Sequence, residues 1–239
     1  MNKKNNSKKI FFSIPPLTVI TAVAIAVTVF FSGFSAAFAE IEDVPVSEKP
    51  MGKINARSAV LVDARSGNIL FEKEADKRLY PASCTKILSV IVVIENAELT
   101  DIVTVSNNAV MKGMSHRGAH IALRPGERIT VEDALYGALL VSANDCIIAL
   151  GEHVAGSEKA FVKMMNKKAA ELGMNDSHFA NTCGLFNKDH YSSAGDLAIA
   201  MNYAVKNKTF VKILGTPKHV VPKSNKCDEK RYLYNNHRM

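Results

Sequence analysis

The stretch Pro81-Ala82-Ser83-Cys84-Thr85-Lys86, followed by the apolar run Ile87 to Ile94, decides how this chain is read. Pro81 closes an extended approach, and small residues then open a helix whose apolar run belongs in a core. Ser83 and Lys86 are three apart, so in a first helical turn they share a face and an amine reaches a hydroxyl. A serine hydroxyl is a poor nucleophile until a neighbouring base takes its proton. Lysine serves as that base only when its pKa falls, and desolvation near the positive end of a helix lowers it. Taken alone, Ser-x-x-Lys arises about once by chance in a chain of this length, and describes a capping serine and a surface lysine equally well.

A second pattern adds what the first lacks. Ser142-Ala143-Asn144 interrupts a helical stretch just after the apolar segment Ala134 to Val141. A second hydroxyl can relay a proton between Lys86 and a leaving amine, and the Asn144 amide can hold a peptide carbonyl. Ser106-Asn107-Asn108 fits the same Ser-x-Asn pattern. Ser142 is preferred because breaking a strong helix costs stability and calls for a reason.

Outward from these motifs, the chain alternates strand and helix signals. Ala56 to Leu61 and Ile69 to Phe71 read as a hairpin around a 63–68 turn, with Gly67 available for the positive φ. The Ser83 helix is expected to end between Asn96 and Leu99, and 103–106 to be a short strand. Residues 107–124, rich in glycine and histidine, read as an irregular crossover. Thr130 caps a helix running to about Val141, with Glu132 and Asp133 in its first turn. Further helices are expected over 146–154, 157–172 and 195–205, ended by Gly156 and Gly173 where those follow. Met164 and Met165 read as core filler.

Composition bounds the partners. The 239 residues are 47% apolar and 22% charged, which suits a globular chain and excludes disorder. The net charge of +7 owes four lysines to the N-terminus (Lys3, Lys4, Lys8, Lys9), leaving 26 basic against 23 acidic residues elsewhere. No basic run with interleaved aromatics remains, so nucleic-acid binding is excluded. The N-terminal lysines, the apolar Leu17 to Phe31 and the cleavage-like Ala37-Phe38-Ala39 read as an export signal over 1–39, with a proline-bearing linker over 40–55. An uncleaved signal is the alternative, and only then would the protein meet the membrane. Cys84, Cys146, Cys183 and Cys227 read as free thiols, and without Cys-x-x-Cys pairs or clustered histidines no metal is expected.

Ser-x-x-Lys and Ser-x-Asn belong to the signature set of penicillin-binding proteins and class A β-lactamases. The segments Ser58 to Lys86, Leu123 to Ser157, Phe161 to Met174 and Phe179 to Met201 closely resemble the low-molecular-mass D-alanyl-D-alanine carboxypeptidases of bacterial cell walls. The resemblance implies an α/β (α+β) β-lactamase/transpeptidase-like fold, a helical subdomain packed on an antiparallel sheet. It implies Ser83 as acylated nucleophile, Lys86 as its base, Ser142 as proton relay and Asn144 as the residue orienting the substrate's peptide. It implies no cofactor, a substrate that is the D-Ala-D-Ala end of the peptidoglycan stem peptide, β-lactams as inhibitors acylating the same serine, and a place in the cell envelope. The family's third motif, Lys-Thr-Gly, is not found. Lys208-Thr209-Phe210 lacks the glycine and comes too early, so a catalytic domain over 56–239 is expected to be C-terminally incomplete, with sheet strands missing and the hairpin edge open. Two alternatives stay open: a β-lactamase-like hydrolase, whose deacylating carboxylate would have to be Glu152, Glu158 or Glu171, and a non-catalytic exported peptidoglycan-binding protein.

Overall fold

The computed structural model describes residues 54–115 and 118–236. The expected signal over 1–39, and the linker up to residue 53, lie outside the described residues. The first described elements are β1 (Ala59–Val62) and β2 (Ile69–Lys73), an antiparallel hairpin. Its turn is built by Asp63, whose Oδ1 accepts the N–H groups of Arg65 (3.0 Å) and Ser66 (2.6 Å), with Gly67 at φ +78°. An aspartate at the turn start and a left-handed glycine are what this turn chemistry requires.

The body of the fold is helical. A 3-10 turn over Ala82–Cys84 runs straight into α1 (Thr85–Asn96). Its Val/Ile-rich sequence is a mediocre helix former by propensity, but Leu88, Val90, Val92 and Val93 are fully or almost fully buried, and burial holds the helix. After β3 (Ile102–Thr104) come α2 (Asn107–Gly113), β4 (Arg128–Thr130), α3 (Val131–Leu140), α4 (Asn144–Ala155) and α5 (Glu158–Leu172). The chain continues through α6 (Ala194–Ala204), α7 (Lys208–Leu214), β5 (Lys218–Val221) and β6 (Arg231–Tyr234). Helices α3, α4, α5, α6 and α7 all pack on α1, and α4 also meets α2, α3 and α5. Between them lie Leu135, Leu140, Ile147, Ile148, Phe161 and Met165, all fully buried.

The caps follow the sequence closely. Thr130 accepts from the Asp133 N–H, Ser157 from the Ala160 N–H, and Gly156 and Gly173 end α4 and α5 at φ +74° and +80°. The sheet component consists of three separate two-stranded antiparallel sheets among the described residues: β1–β2, β3–β4 and β5–β6. Helix α6 covers β1 on one side. Leu61, Ile69 and Leu70 of the hairpin are exposed.

Two segments depart from the sequence reading. Residues 107–124 are not irregular throughout, because α2 occupies the first part, capped by the Ser106 hydroxyl accepting from the Ala109 N–H. Seven residues give too short a window for an amphipathic signal, so the capping serine was the one usable clue. Residues 206–236 hold α7, β5 and β6. Lys208-Thr209-Phe210 opens α7, where the Asn207 side chain accepts from the Thr209 and Phe210 N–H groups. It is a helix start and not a strand of the Lys-Thr-Gly kind. No described helix is long and apolar enough to cross a membrane.

Candidate active site

Ser83 sits in the exposed 3-10 turn, and Lys86 one turn later points inward, only 3% exposed. The Lys86 ammonium donates to Ser83 Oγ (3.2 Å), to Asn144 Oδ1 (2.7 Å) and to the backbone carbonyl of Cys183 (3.1 Å). All three acceptors are neutral. Burial without a compensating carboxylate draws the Lys86 pKa down to about 8. The neighbouring Cys146 and Cys183 thiols are held protonated by their own burial, so they bring no negative charge. An amine with this pKa is in part neutral near pH 7 to 8, and a neutral amine beside a hydroxyl can take its proton.

Asn144 starts α4 and Ser142 lies in the connection before it. The connection is tightly set: the Ala143 N–H donates to the Gly137 carbonyl (3.0 Å) and the Asn144 N–H to the Ala119 carbonyl (2.7 Å). The fully buried Asp145 carboxylate takes the N–H groups of Leu123 (3.0 Å) and Cys146 (2.9 Å), and binds that of Ile121 as well. Ser142 is held at φ +60°, a left-handed conformation costing a β-carbon residue about 1–3 kcal/mol. Its Oγ is shielded from solvent and has no hydrogen-bond partner. Strain and an orphan hydroxyl together mark a place organised for something other than stability.

The structure therefore joins Ser83, Lys86 and Asn144 by hydrogen bonds and leaves the Ser142 hydroxyl unpartnered. The competing Ser106-Asn107-Asn108 is structural: Ser106 Oγ and Asn108 Nδ2 both donate to Glu152, at 2.5 and 2.7 Å. The other acidic candidates are also engaged elsewhere, Glu158 with Lys112 and Thr182, and Glu171 with Lys167 and Lys168.

Sequence reasoning missed the loop that completes the lysine's surroundings. Asn181 Oδ1 accepts from the N–H groups of Cys183 (3.3 Å), Gly184 (2.8 Å) and Leu185 (3.1 Å), while its Nδ2 donates to the Leu185 carbonyl (2.8 Å). This knot aims the Cys183 carbonyl at Lys86. The signal was Asn-x-x-Gly, an Asx turn closing on a left-handed residue. Gly184 has φ +87°, and a β-carbon there would stand 1.8 Å from the Ala82 carbonyl oxygen, beside Ser83. Gly184→Ala is therefore expected to destabilise by roughly 2–4 kcal/mol, from left-handed strain plus overpacking. Urea unfolding checks this, and an unchanged midpoint would contradict the contact.

His190 supports the same turn from behind. It is 2% exposed, its Nδ1 lies 3.1 Å from the Ala180 N–H, and its Nε2 lies 2.8 Å from Thr85 Oγ1. A backbone N–H can only donate, so Nδ1 accepts, and in the neutral ring Nε2–H donates to Thr85. Burial, with a smaller push from His178, lowers its pKa from 6.5 to about 4. Between those values the unfolded chain binds a proton that the folded chain refuses. Its contribution to stability is therefore complete above pH 6.5 and is lost as pH falls toward 4. The loss should reach on the order of 3 kcal/mol. Denaturation between pH 7 and 4 should show it, and His190→Gln should flatten that dependence.

A helical body with short antiparallel strands, carrying a buried lysine against a helix-entry serine, has the fold of the penicillin-binding class. The chain belongs to the D-alanyl-D-alanine carboxypeptidase family, whose profile matches residues 44–238. It is 38% identical over 189 residues to the D-alanyl-D-alanine carboxypeptidase DacF of Bacillus subtilis, covering 77% of this chain and 47% of that protein. Among solved structures it is similar to a D-alanyl-D-alanine carboxypeptidase from Mycobacterium tuberculosis, with a TM-score of 0.71 and 27% identity, covering 79% of this chain and 69% of that one. It is also similar to penicillin binding protein 5 from Haemophilus influenzae, with a TM-score of 0.68 and 30% identity, covering 77% of this chain and 53% of that one. The chain spans about half the length of the curated relatives it matches.

Proposed function

We propose that this protein is a serine-type D-alanyl-D-alanine carboxypeptidase that trims peptidoglycan stem peptides. One observation carries the reading: Lys86, buried and poised near pH 8, lies 3.2 Å from the exposed Ser83 hydroxyl. Lys86 takes the Ser83 proton as Oγ attacks the penultimate carbonyl of a peptide ending in D-Ala-D-Ala. The Ser83 backbone N–H faces the developing oxyanion. Ser142 passes the proton to the departing terminal D-alanine, a task its unpartnered hydroxyl suits. Asn144 holds Lys86 in line and orients the substrate's peptide. Water then hydrolyses the acyl-enzyme. A β-lactam acylates the same serine and stays. In this reading residues 1–39 direct export, 40–55 link, and 56–239 carry the catalytic machinery at the cell envelope.

The β-lactamase-like alternative is not favoured, since Glu152, Glu158 and Glu171 are all committed to other partners. The test is D-alanine release from a D-Ala-D-Ala peptide, together with intact mass after exposure to benzylpenicillin. Release and a persistent adduct support the carboxypeptidase. Rapid penicillin turnover without an adduct points to a β-lactamase. Peptidoglycan binding with neither activity points to the non-catalytic exported protein.

A further inference from the structure

Two large aromatic side chains stand in solvent beside the Ser83 turn. Tyr80 is 60% exposed and Phe186 is 77% exposed, yet their rings meet edge to face with centroids 4.9 Å apart. Neither contributes to the core. Tyr80 lies three residues before Ser83, which limits their Cα separation to about 11 Å. Phe186 lies three residues after Cys183, whose carbonyl receives Lys86, and two after Gly184, which touches Ala82. The two rings thus rise from the two backbone stretches that meet beside the reactive serine.

Both stretches are held firmly. Leu79, next to Tyr80, exchanges two backbone hydrogen bonds with Ser192 (2.8 and 3.0 Å), and Leu185, next to Phe186, is tied at both its N–H and its carbonyl to the Asn181 side chain. An aromatic pair on fixed backbone is a preorganised apolar surface, which loses little entropy when something packs on it. Exposed aromatics in contact offer ring faces and edges to an aliphatic or aromatic group.

We propose that Tyr80 and Phe186 form an apolar subsite for the acyl part of the substrate, packing against the group attached to the carbonyl that Ser83 attacks. The subsite rests on the Ser83 acylation reading above. The leaving group departs, but the acyl part remains tethered to Ser83 Oγ and stays within reach of walls that adjoin this residue. The Ser142–Asn144 connection presents polar groups, which suit the peptide and the leaving amine. The Tyr80–Phe186 edge presents hydrocarbon, which suits a side group and selects among acyl donors by its size and apolarity.

The test uses the full chain and two probes sharing one reactive ring: benzylpenicillin, with a phenyl-bearing acyl side group, and aminopenicillanic acid, with a bare amine. Second-order acylation rates are followed by intact mass. Tyr80→Ala and Phe186→Ala are each expected to lower the benzylpenicillin rate by roughly 10-fold, the scale of losing one aromatic contact. The aminopenicillanic acid rate should stay within about twofold, and Phe186→Leu, which keeps an apolar surface, should retain most of the preference. An unchanged ratio of the two rates overturns the subsite, as does an equal fall in both, which would mark the pair as a prop for the turn. Wild-type protein acylated by neither probe is a separate result, overturning the Ser83 reading and the subsite with it.

Discussion

Ser83→Ala is expected to abolish covalent uptake of benzylpenicillin completely while leaving the fold intact. Ser83 is exposed in its 3-10 turn, and its Oγ contact within the site is with Lys86 at 3.2 Å, so removing one oxygen leaves no core cavity. The consequence is confined to chemistry. Without Oγ no acyl-enzyme can form, and no neighbouring group stands in: the adjacent Cys84 thiol is exposed but belongs to a different position of the turn. Intact mass after prolonged incubation should show wild type shifted and the variant unshifted, with matching circular dichroism. An adduct persisting in Ser83→Ala would move the nucleophile elsewhere and dismantle the site as described.

Lys86→Met is expected to slow acylation by about 100- to 10,000-fold, the range of a lost general base. Methionine fills the buried channel of similar length without a charge. The Asn144 Oδ1 and Cys183 carbonyl lose their donor, costing about 1–3 kcal/mol each. The removal of a poorly solvated ammonium offsets part of that. The pH profile distinguishes a base from a prop. In the proposed mechanism only the neutral amine accepts the Ser83 proton, so the rate should climb with pH and level off above about 8. Each unit below that should cost about tenfold. In Lys86→Met the small remaining rate should lose this rise. A variant that is slow but keeps the same profile would assign the titration to another group.

Much of the molecule was legible along the chain, and for local reasons. Thr130, Ser157, Gly156 and Gly173 marked helix ends because caps act within one turn. Asp63 and Gly67 marked the hairpin because the turn is built from its own residues. Ser83 and Lys86 could be paired because three residues of separation are one helical turn, whatever the rest of the fold does. The short α2 and the elements after Val205 escaped for the converse reason. They carry weak periodic signals and are held by distant partners, as when Arg231 of β6 pairs with the fully buried Glu127 at 2.7 Å.

The amino-acid sequence by itself determined the serine–lysine pair, the helices that carry it, the interrupted helix before Asn144 and the family to which these belong. Tertiary structure alone decided what surrounds the pair. It brought Asn144, 58 residues on, and the Cys183 carbonyl, 97 residues on, to one buried amine. It set His190 behind Thr85 across 105 residues, and left the Ser142 hydroxyl without a partner. The physical reason is that a pKa is a property of solvation. Lys86 is an ordinary lysine in the linear chain, and only packing removes enough water to bring it down to about 8.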